Sequence, residues 1–541
     1  MARLVLGPML RYADATSAVV WVETDEPCKV EVLGASAATF ALHGHHFGVV
    51  ELTDLEPGSS QEYTVRVGGE QVWPEPDSEF PPSRIRTVDP EAPVRLAFGS
   101  CRTSVPHDVQ HNLRHGFDVL RCYANELRDT AEPDWPTALI LLGDQVYADE
   151  PPPAVLDFVH ERRGDDDPPQ DELRDFPEFA ELYRVAWSDP DVRWLLSTLP
   201  TAMIVDDHDL RDDWNTSQAW RDQMAELPWW PRRVRGGVGA YWIYQHLGNL
   251  SPSERAQDKL FTAVRSADGD AGALLDEFAE QSYAQPAGTQ FSYVRDYGPT
   301  RFLMLDSRCA RVLTPGNRAM IDDTEWNWFV DQVSGDYQHL VIGTSLPFLL
   351  PKGLHYAEAW NEAVCDGVWG ARAARLGERM RQAIDLEHWA AFRRSFEAVA
   401  NVVIDLAAGR HGEPPTSIGF LSGDVHYSYL ARVSLPPPAT SQTRVYQAVC
   451  SPIRNPLSGP VRVMNAGASF GGAGLVGRGL AKAAGVPRPP FDWTVTSGPY
   501  FHNVLGELRL DRGRADVRWM APSASMDDPP PLQEIASQQL A

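Results

Sequence analysis

The sequence predicts an α/β protein with a small all-β domain in front of it. Residues 1–88 contain short runs of alternating apolar and polar residues, the pattern of strands with one buried face. From residue 94 onward, continuous apolar runs alternate with stretches of helical periodicity, the pattern of a sheet covered by helices. Several of these apolar runs end abruptly in aspartate, tyrosine or histidine, so we also expect a site at the strand ends.

The length of 541 residues exceeds what one hydrophobic core normally supports, so at least two domains are expected. We place the first domain at residues 1–90 and the second at residues 91–541. Residues 77–93 are rich in proline and acidic side chains, and this composition is typical of a linker.

Residues 18–24 and 62–67 give the clearest strand patterns of the first domain. Between them, Leu55, Glu56, Pro57 and Gly58 followed by Tyr63 resemble the turn and tyrosine corner of fibronectin type III domains. We therefore expect a small fibronectin III-like or immunoglobulin-like β-sandwich. Two roles remain open for it: covering a sheet edge, or shaping the entrance to the site.

The apolar runs of the second domain predict strands over 94–98, 138–142, 202–205, 301–305, 340–342 and 417–421. Helical periodicity is found over 108–130, 172–187, 252–282, 322–334 and 371–407. Because strands and helices alternate, we expect the chemically active side chains to follow the strands.

The charge of the chain limits its partners. Lys and Arg total 48 against 74 Asp and Glu, which gives a formal net charge of -26. This charge argues against nucleic acid as a stable partner and against binding to anionic membranes. A small anionic substrate would need local positive charge, most simply metal ions. The composition does not indicate an oligomeric state.

The N-terminal residues predict a cytoplasmic protein, because they contain neither the apolar stretch of a secretory signal nor a twin-arginine pair. No later segment has enough consecutive apolar residues to cross a membrane. The six cysteines are widely spread without a C-x-x-C pair, so neither a disulfide framework nor a structural zinc site is predicted.

Four strand ends carry residues that could hold metal ions. They are Gly99-Ser100-Cys101-Arg102, Gly143-Asp144-Gln145-Val146-Tyr147, Asp206-Asp207-His208-Asp209 and Gly423-Asp424-Val425-His426. A single Gly-Asp after a strand is often only a turn or a helix cap. The joint occurrence of thiol, phenol, carboxyl and imidazole groups predicts a redox metal such as iron beside a harder divalent ion.

Three residues near these strand ends have competing interpretations. A cysteine such as Cys101 is often only a small apolar core residue, but its position at a strand end favours metal binding. Arg102 and Arg308 could bind the oxygens of a phosphate group or could form salt bridges with neighbouring carboxylates.

The Gly-Ser-Cys, Gly-Asp-Gln-x-Tyr-Ala-Asp, Asp-Asp-His-Asp and Ser-Gly-Asp-x-His motifs resemble those of the alkaline phosphatase D (PhoD-like) family of metallophosphatases, in the calcineurin-like metallophosphoesterase superfamily. The resemblance spans roughly residues 94–510, and the preceding sandwich matches the family's usual N-terminal domain. It implies a four-layer metallophosphoesterase sandwich in the second domain.

The resemblance also implies a site that holds Fe³⁺ with calcium or another divalent metal. At the iron side it places Cys101, Asp144, Tyr147 and Asp424, with Asp144 bridging the two metals. The candidates at the second metal are Asp207, Asp209, Asp213 and His426, with Asn215 as the alternative to Asp213. His208 is implied to contact the substrate or its leaving group.

The predicted activity is hydrolysis of small phosphomonoesters or phosphodiesters by a metal-bound hydroxide. Two metal ions about 3.5 to 4 Å apart lower the pKa of a bridging water and screen the charge of the phosphoryl group. His208 would protonate the leaving oxygen. Two alternatives stay open: a hydrolase of phospholipid or nucleotide diesters with little monoesterase activity, and a catalytically inactive binding or scaffold protein, which need hold no metal.

Overall fold

Ten short strands form the first part of the protein, in a computed structural model that describes residues 2–164, 166–437, 442–457, 462, 471–525 and 527–541. Their bounds are β1 (Leu4–Ala13), β2 (Ala18–Thr24), β3 (Lys29–Val32), β4 (Ala35–Ala38), β5 (Phe40–Leu42), β6 (His45–Leu52), β7 (Ser60–Glu62), β8 (Val65–Val67), β9 (Glu70–Trp73) and β10 (Arg84–Arg86). They form a sheet of order β1-β2-β6-β5, a sheet of order β4-β3-β8-β9 and a ribbon of β7 with β10.

Alternating valines hold the two four-stranded sheets together. Val20 and Val22 of one sheet share a buried cluster with Val30, Val32 and Val65 of the other. The predicted strand over 18–24 is therefore confirmed. The predicted strand over 62–67 is interrupted after Glu62 and resumes at Val65.

Two larger sheets follow. Their strands are β11 (Val94–Gly99), β12 (Ala138–Leu141), β13 (Thr201–Met203), β14 (Tyr293–Tyr297), β15 (Thr300–Leu305), β16 (His339–Thr344), β17 (Ser417–Ser422), β18 (Ser428–Ser434), β19 (Arg444–Val449), β20 (Asp492–Tyr500), β21 (Leu505–Asp511), β22 (Arg514–Pro522) and β23 (Leu532–Gln539). The strand orders are β13-β12-β11-β21-β22-β23 and β14-β15-β16-β17-β19-β18-β20. The neighbouring strands β11, β12 and β13 are parallel, as are β15, β16, β17 and β19.

Helices connect these strands. The α-helices are α1 (Val109–His115), α2 (Val119–Asp129), α3 (Pro153–Arg163), α4 (Phe176–Trp187), α5 (Pro190–Thr198), α6 (Gln218–Ala225), α7 (Trp230–Ala240), α8 (Leu247–Asn249), α9 (Pro252–Gln257), α10 (Lys259–Ser266), α11 (Gly272–Ala284), α12 (Asp323–Gln332), α13 (Lys352–Cys365), α14 (Ala371–Ala383), α15 (Arg393–Ala407) and α16 (Gly471–Ala483). A π-helical turn (Tyr241–His246) joins α7 to α8, and short 3-10 turns lie at Glu132–Asp134, Pro286–Gly288 and Trp389–Ala391.

The two large sheets pack face to face with helices outside both. In β12, Ile140 faces the other sheet and joins a core with Phe302 and Val341. Its neighbour Leu141 faces the opposite way and packs in a second core with Leu120 of α2. Helices α12 and α15 cover the outer face of the second sheet in the same manner. This arrangement is a helix, sheet, sheet, helix sandwich, so the predicted α/β class and four layers are confirmed.

The strand predictions of the second domain are confirmed to within two residues at each end. The stretches of helical periodicity over 108–130, 252–282 and 371–407 each contain more than one helix. The chain leaves helix α14 after Ala383, and Asp385 adopts the left-handed backbone conformation with φ +48°. A helix cannot continue through a residue in the left-handed conformation, so Asp385 interrupts the helical stretch. The loop that follows reaches the strand ends.

The N-terminal sandwich covers an edge of the first large sheet. Arg11 of β1 is fully buried, and its guanidinium donates to the carbonyl of Thr201 in the edge strand β13 at 3.2 Å. The same guanidinium donates to the carbonyls of Tyr244 and Gln245 in the π-helical turn. Of the two roles predicted for the sandwich, these contacts match the cover of a sheet edge.

Tyr63, predicted to form a tyrosine corner, acts across this interface. Its buried hydroxyl donates to the carbonyl of Ser197 in α5 at 2.6 Å. The last carbonyls of a helix lack partners within the helix, so the tyrosine satisfies a group that would otherwise be buried without a donor.

None of the helices among these described residues combines the length and the hydropathy that a membrane span requires.

We expect the Tyr63→Phe variant to lose about 1–3 kcal/mol of unfolding free energy, because the Ser197 carbonyl stays buried without a donor. Urea unfolding followed by tryptophan fluorescence measures this loss. Tyr356→Phe is the control, since the Tyr356 hydroxyl has no hydrogen bond to any described residue. Equal stability of both variants would contradict the interpretation.

Candidate metal centre

The ends of four strands meet at one place. Cys101 follows β11, Asp144 follows β12, Asp206 and Asp207 follow β13, and Asp424 follows β17 of the opposite sheet. The backbone N–H of Cys101 donates to the Gly143 carbonyl at 3.1 Å, so the first two ends are joined directly. The edges of both sheets therefore supply side chains to a single cluster.

The backbone at these strand ends is unusual. Cys101, Asp144, Asp424 and His426 have φ angles of +58°, +52°, +66° and +55°. Such left-handed conformations are uncommon for residues other than glycine, and they concentrate at binding and catalytic sites. The strained residues here are the ones that the sequence predicts to bind metal.

Two glycines allow the strand ends to approach each other. A Cβ atom on Gly143, whose φ is +107°, would lie 2.5 Å from the Cβ of Asp206. A Cβ atom on Gly423 would lie 2.0 Å from the hydroxyl oxygen of Ser100. Because real contacts are never that short, any side chain at either position would push the acidic strand ends apart.

One set of ligand atoms combines sulfur, oxygen and nitrogen. Atoms of Cys101, Asp144 and His426 lie within 4.8 Å of one another. The Cys101 sulfur lies 3.3 Å from Oδ2 of Asp144, and the Tyr147 hydroxyl lies 3.5 Å from Nε2 of His426. Burial, together with the charge of Asp424, raises the pKa of the Cys101 thiol to about 12. A bound cation would favour the thiolate instead.

A second set consists of carboxylates alone. Oxygen atoms of Asp144, Asp206 and Asp207 also lie within 4.8 Å of one another, so Asp144 belongs to both sets. Burial, together with the neighbouring Cys101 and Asp206, raises the pKa of Asp144 well above its usual range. Burial likewise raises the pKa of Asp206, although Arg308 opposes the shift. Carboxylates that are buried close together repel one another when they are ionised, and a cation bound between them would relieve this repulsion.

Buried oxygens without hydrogen-bond partners among the described residues surround these sets. They are Asp144 Oδ1, Asp206 Oδ2, Asp213 Oδ1 and Asn215 Oδ1. Buried polar atoms almost always have partners, and four unpartnered oxygens close together are suited to coordinate a cation. The residues therefore fit a soft or borderline metal on the side of Cys101 and a hard, oxygen-binding cation on the side of Asp207.

Arg308 lies at the centre of the acidic residues. Its side chain is fully buried and forms ion pairs with Asp206, with Asp207 at 3.0 Å, with Asp424 at 3.2 Å and with Glu387. The guanidinium is thus surrounded by carboxylates. These contacts match the salt-bridge interpretation of Arg308, and phosphate binding by this residue stays a prediction.

A family model described as PhoD-like phosphatase matches residues 111–470, which is more than half of the chain. The chain belongs to the PhoD-like phosphatase family. A second model, a domain of unknown function (DUF7800), matches residues 1–85. Because it belongs to this family, the protein is a metal-dependent phosphoric ester hydrolase.

One solved structure has a similar fold, and a second aligns more weakly. A structure titled "Structure of PhoD" aligns with a TM-score of 0.60 and 14% identity, covering 98% of this chain and 89% of that one. Purple acid phosphatase PPD1 from yellow lupin (Lupinus luteus) seeds aligns with a TM-score of 0.48 and 10% identity, covering 98% and 73%. No curated protein matches the sequence.

Two ligands predicted for this PhoD-like phosphatase are placed differently by the structure. His426 joins Cys101 and Asp144, not the carboxylates of the second metal. Asp209 accepts hydrogen bonds from four backbone N–H groups and from Gln245. Both Asp209 oxygens are engaged by these donors, and Asp209 belongs to neither ligand set, so these contacts do not favour its predicted role as a metal ligand.

Arg102 matches the salt-bridge interpretation, one of the two roles predicted for it. The buried guanidinium lies 2.8 Å from the carboxylate of Asp118 and donates to the Ala186 carbonyl at 2.8 Å. It therefore joins strand β11 to helices α2 and α4 and is not free to bind phosphate.

Asp213 and Asn215 remain alternatives at the second metal. The N–H of Asp213 donates to Oδ2 of Asp207 at 3.0 Å, and the amide of Asn215 donates to the Arg308 carbonyl at 3.1 Å. Burial and the nearby Glu387 raise the pKa of Asp213 to about 9. Both residues have positive φ angles, of +65° and +59°.

His208 is held by a carboxylate that the sequence analysis did not select. Its Nδ1 lies 2.9 Å from Asp149, which also accepts the N–H of Asp212 at 2.6 Å. The centroids of the His208 and Tyr147 rings lie 4.5 Å apart, and 21% of the His208 side chain is exposed. Burial opposes protonation of His208, but Asp149 and the neighbouring aspartates raise its pKa well above the usual value.

A second imidazole was missed entirely. Nε2 of His388 lies 3.0 Å from Oδ2 of Asp424, and its Nδ1 lies 2.6 Å from Glu358 of α13. Asp424 is thus fixed between Arg308 and His388, and both cations lower its pKa despite burial. No short motif marks these residues. Only the break between α14 and α15 could have drawn attention to His388.

We expect Gly143→Ala to displace Asp206 and to reduce metal content, because the new methyl group meets the Asp206 side chain. Gly269→Ala is the matched control: its φ of +99° imposes similar backbone strain, about 1–2 kcal/mol, but its Cβ meets no neighbour within 4 Å. Chemical unfolding and elemental analysis measure both effects. Equal metal content in the two variants would refute the close-approach argument.

We expect Asp144→Asn to weaken binding of both metals by at least about ten-fold, since Asp144 belongs to both ligand sets. Asp207→Asn should weaken only one. Elemental analysis after dialysis measures both, with Asp212→Asn as control because 63% of its side chain is exposed. Metal-free Asp144→Asn should also unfold at a higher temperature than the metal-free wild type, because it removes a buried like charge. A lower temperature would contradict this account.

Proposed function

We propose that the chain hydrolyses small phosphomonoesters or phosphodiesters in the pocket around Asp144. The observation that carries the proposal is the sharing of Asp144 between a Cys101–His426 set and an Asp206–Asp207 set of ligand atoms. Two cations on either side of one carboxylate suit in-line attack on phosphorus. Membership of the PhoD-like phosphatase family supports the same reaction class.

We propose iron on the side of Cys101 and calcium or another divalent ion on the side of Asp207. The thiolate of Cys101, the phenolate of Tyr147 and the imidazole of His426 are ligands that iron accepts, whereas carboxylate oxygens suit calcium. Metal ions bound here would lower the pKa of water and screen the charge of the phosphoryl group.

His208 is the proposed acid for the leaving oxygen. Asp149 engages Nδ1, so Nε2 is the nitrogen that can offer a proton to a substrate. The contact with the Tyr147 ring fixes the imidazole plane, and the exposed fifth of the side chain gives access from solvent. An imidazolium stabilised by a buried carboxylate can donate this proton and then be reprotonated.

Asp424 is proposed as a ligand whose orientation the protein fixes in advance. One oxygen faces Arg308 and the other faces His388, and Glu358 holds the far side of that imidazole. Loss of a group that orients a ligand in this manner typically weakens metal binding by about 10–100-fold.

The alternatives differ in what they require of these residues. An inactive scaffold would need no metal, yet the pocket keeps several buried oxygens without partners among the described residues. A diesterase without monoesterase activity would need the same metals and the same acid. Assays of both ester classes therefore distinguish a diesterase from an enzyme that also hydrolyses monoesters. Measurement of the metal content distinguishes either enzyme from an inactive scaffold.

We also propose that residues 1–90 form a separate fibronectin III-like domain whose task is to cover strand β13, with residues 91–541 as the phosphatase domain. The buried contact of Arg11 with Thr201 supports this division of labour.

The function is tested by assaying the metal-loaded protein against p-nitrophenyl phosphate and bis-p-nitrophenyl phosphate. We expect hydrolysis of at least one, abolished by Asp144→Asn. A folded, metal-loaded protein that hydrolyses neither ester, nor alkyl phosphates, would overturn the proposal.

We expect His208→Asn to lower kcat for an alkyl phosphate by about 10²–10⁴-fold, because that leaving group needs a proton. The same variant should change kcat for 2,4-dinitrophenyl phosphate little, since that group leaves as an anion. Asparagine keeps a donor near the position of Nδ1 and removes only Nε2. His502→Asn, at an exposed position, is the control. Equal losses on both esters would exclude the acid role.

A further inference from the structure

Asp209 lies beneath both ligand sets and is almost completely buried. We propose that Asp209 is a positioning residue that sets the distance between the loops carrying Asp144 and Asp206, and that Gln245 in the π-helical turn holds it in place. The inference rests on the proposed function, since it concerns the geometry of that metal centre.

One oxygen of Asp209 joins the two loops. Its Oδ2 accepts the backbone N–H of Asp144 at 3.0 Å and the backbone N–H of Asp206 at 2.9 Å. These two residues follow different strands, and both belong to the all-carboxylate ligand set. Because the same atom binds both N–H groups, their separation is limited to what one oxygen can span.

The other oxygen fixes the loop that leads to Tyr147. Its Oδ1 accepts the N–H groups of Gln145 at 3.0 Å and Val146 at 3.2 Å. Together with the N–H of Asp144, three successive backbone N–H groups donate to the carboxylate of Asp209. Such an arrangement of backbone amides is a cradle for an anion. The carboxylate therefore holds the backbone on which Asp144 and Tyr147 are mounted.

Gln245 supplies the fifth hydrogen bond. Its amide nitrogen donates to Oδ1 of Asp209 at 3.0 Å and to the hydroxyl of Tyr183 at 2.8 Å. Gln245 is fully buried and lies in the π-helical turn between α7 and α8. A π-helical turn accommodates an extra residue in a helix and is frequent at functional sites. Here the turn brings Gln245 to Asp209.

A carboxylate is the group that this position requires. Both of its oxygens are acceptors, whereas the amide of asparagine has one acceptor and would direct its NH₂ group at backbone N–H donors. An Asp209→Asn variant can satisfy the donors around one oxygen only. The loop after β12 or its connection to the loop after β13 must then move.

The experiment compares Asp209→Asn and Gln245→Met with two controls, measuring iron dissociation constants and amide hydrogen exchange at residues 144–146 and 206. Asp322→Asn is the matched control, because the buried Asp322 accepts the N–H groups of Thr324 and Glu325 away from the site. Tyr183→Phe removes the other partner of Gln245 and leaves Asp209 untouched.

We expect Asp209→Asn to weaken iron binding by about 10–100-fold and Gln245→Met to weaken it to a smaller extent, with faster exchange at those amides in both. The controls should retain wild-type affinity even where their unfolding temperatures fall. Folded Asp209→Asn with wild-type affinity and exchange would overturn the proposal. If Asp209→Asn does not fold, unchanged affinity and exchange in Gln245→Met would overturn it.

The two proposals fail in different ways. A wild-type protein that binds no metal would refute the proposed function. Amide exchange can be measured in metal-free protein, so protected amides in that protein, lost in Asp209→Asn, would still support the role of Asp209 in holding the loops.

Discussion

The fold is organised around the problem of holding several carboxylates together out of water. Arg308 gives the first part of the solution, because its buried guanidinium forms ion pairs with Asp206, Asp207, Glu387 and Asp424. Such charges are tolerable only when each has a partner, and removing one would leave the others uncompensated. The guanidinium does not reach every carboxylate oxygen, and Oδ1 of Asp144, which has no hydrogen-bond partner among the described residues, is suited to a metal ion. Both the stability of this region and its affinity for metal ions therefore depend on how the charges of these buried carboxylates are compensated.

The layered architecture delivers these charges to one place. Parallel strands in each sheet end at the same edge, and face-to-face packing brings the two edges together, so Asp144 of one sheet meets Asp424 of the other. Gly143 and Gly423 remove the side chains that would keep the edges apart. The apolar core between the sheets fixes their separation, because each large side chain buried there contributes about 1.5–3 kcal/mol and resists displacement. The positions of the candidate metal ligands thus depend on packing in the core between the two sheets.

The sequence was sufficient for those features that are local in the chain. Apolar runs ending in polar residues predicted the strands and brought Cys101, Asp144 and Asp207 into one site. It was insufficient where a side chain's task depends on which way it faces. Asp209 stands two residues after Asp207 in the same motif, yet its carboxylate turns to backbone N–H groups. Glu358 and His388 come from segments distant in sequence, and no spacing connects them with Asp424. Helical periodicity over 371–407 concealed the loop that carries His388, because periodicity does not register a single residue such as Asp385 in a left-handed conformation.

The cover of strand β13 by the N-terminal sandwich has a consequence for how the two parts of the chain can exist. Beyond β13 the first large sheet has no further strand among the described residues, and the side chain of Arg11 occupies one carbonyl there. An uncovered edge offers unpaired backbone groups to any other strand, including the same edge of a second molecule. Asn249 of α8 already pairs with both backbone groups of Met203 in this strand, so removal of the sandwich would leave the Thr201 carbonyl without its donor. Two parts of the chain that are distant in sequence thus share the protection of one short edge strand, and neither part covers it completely without the other.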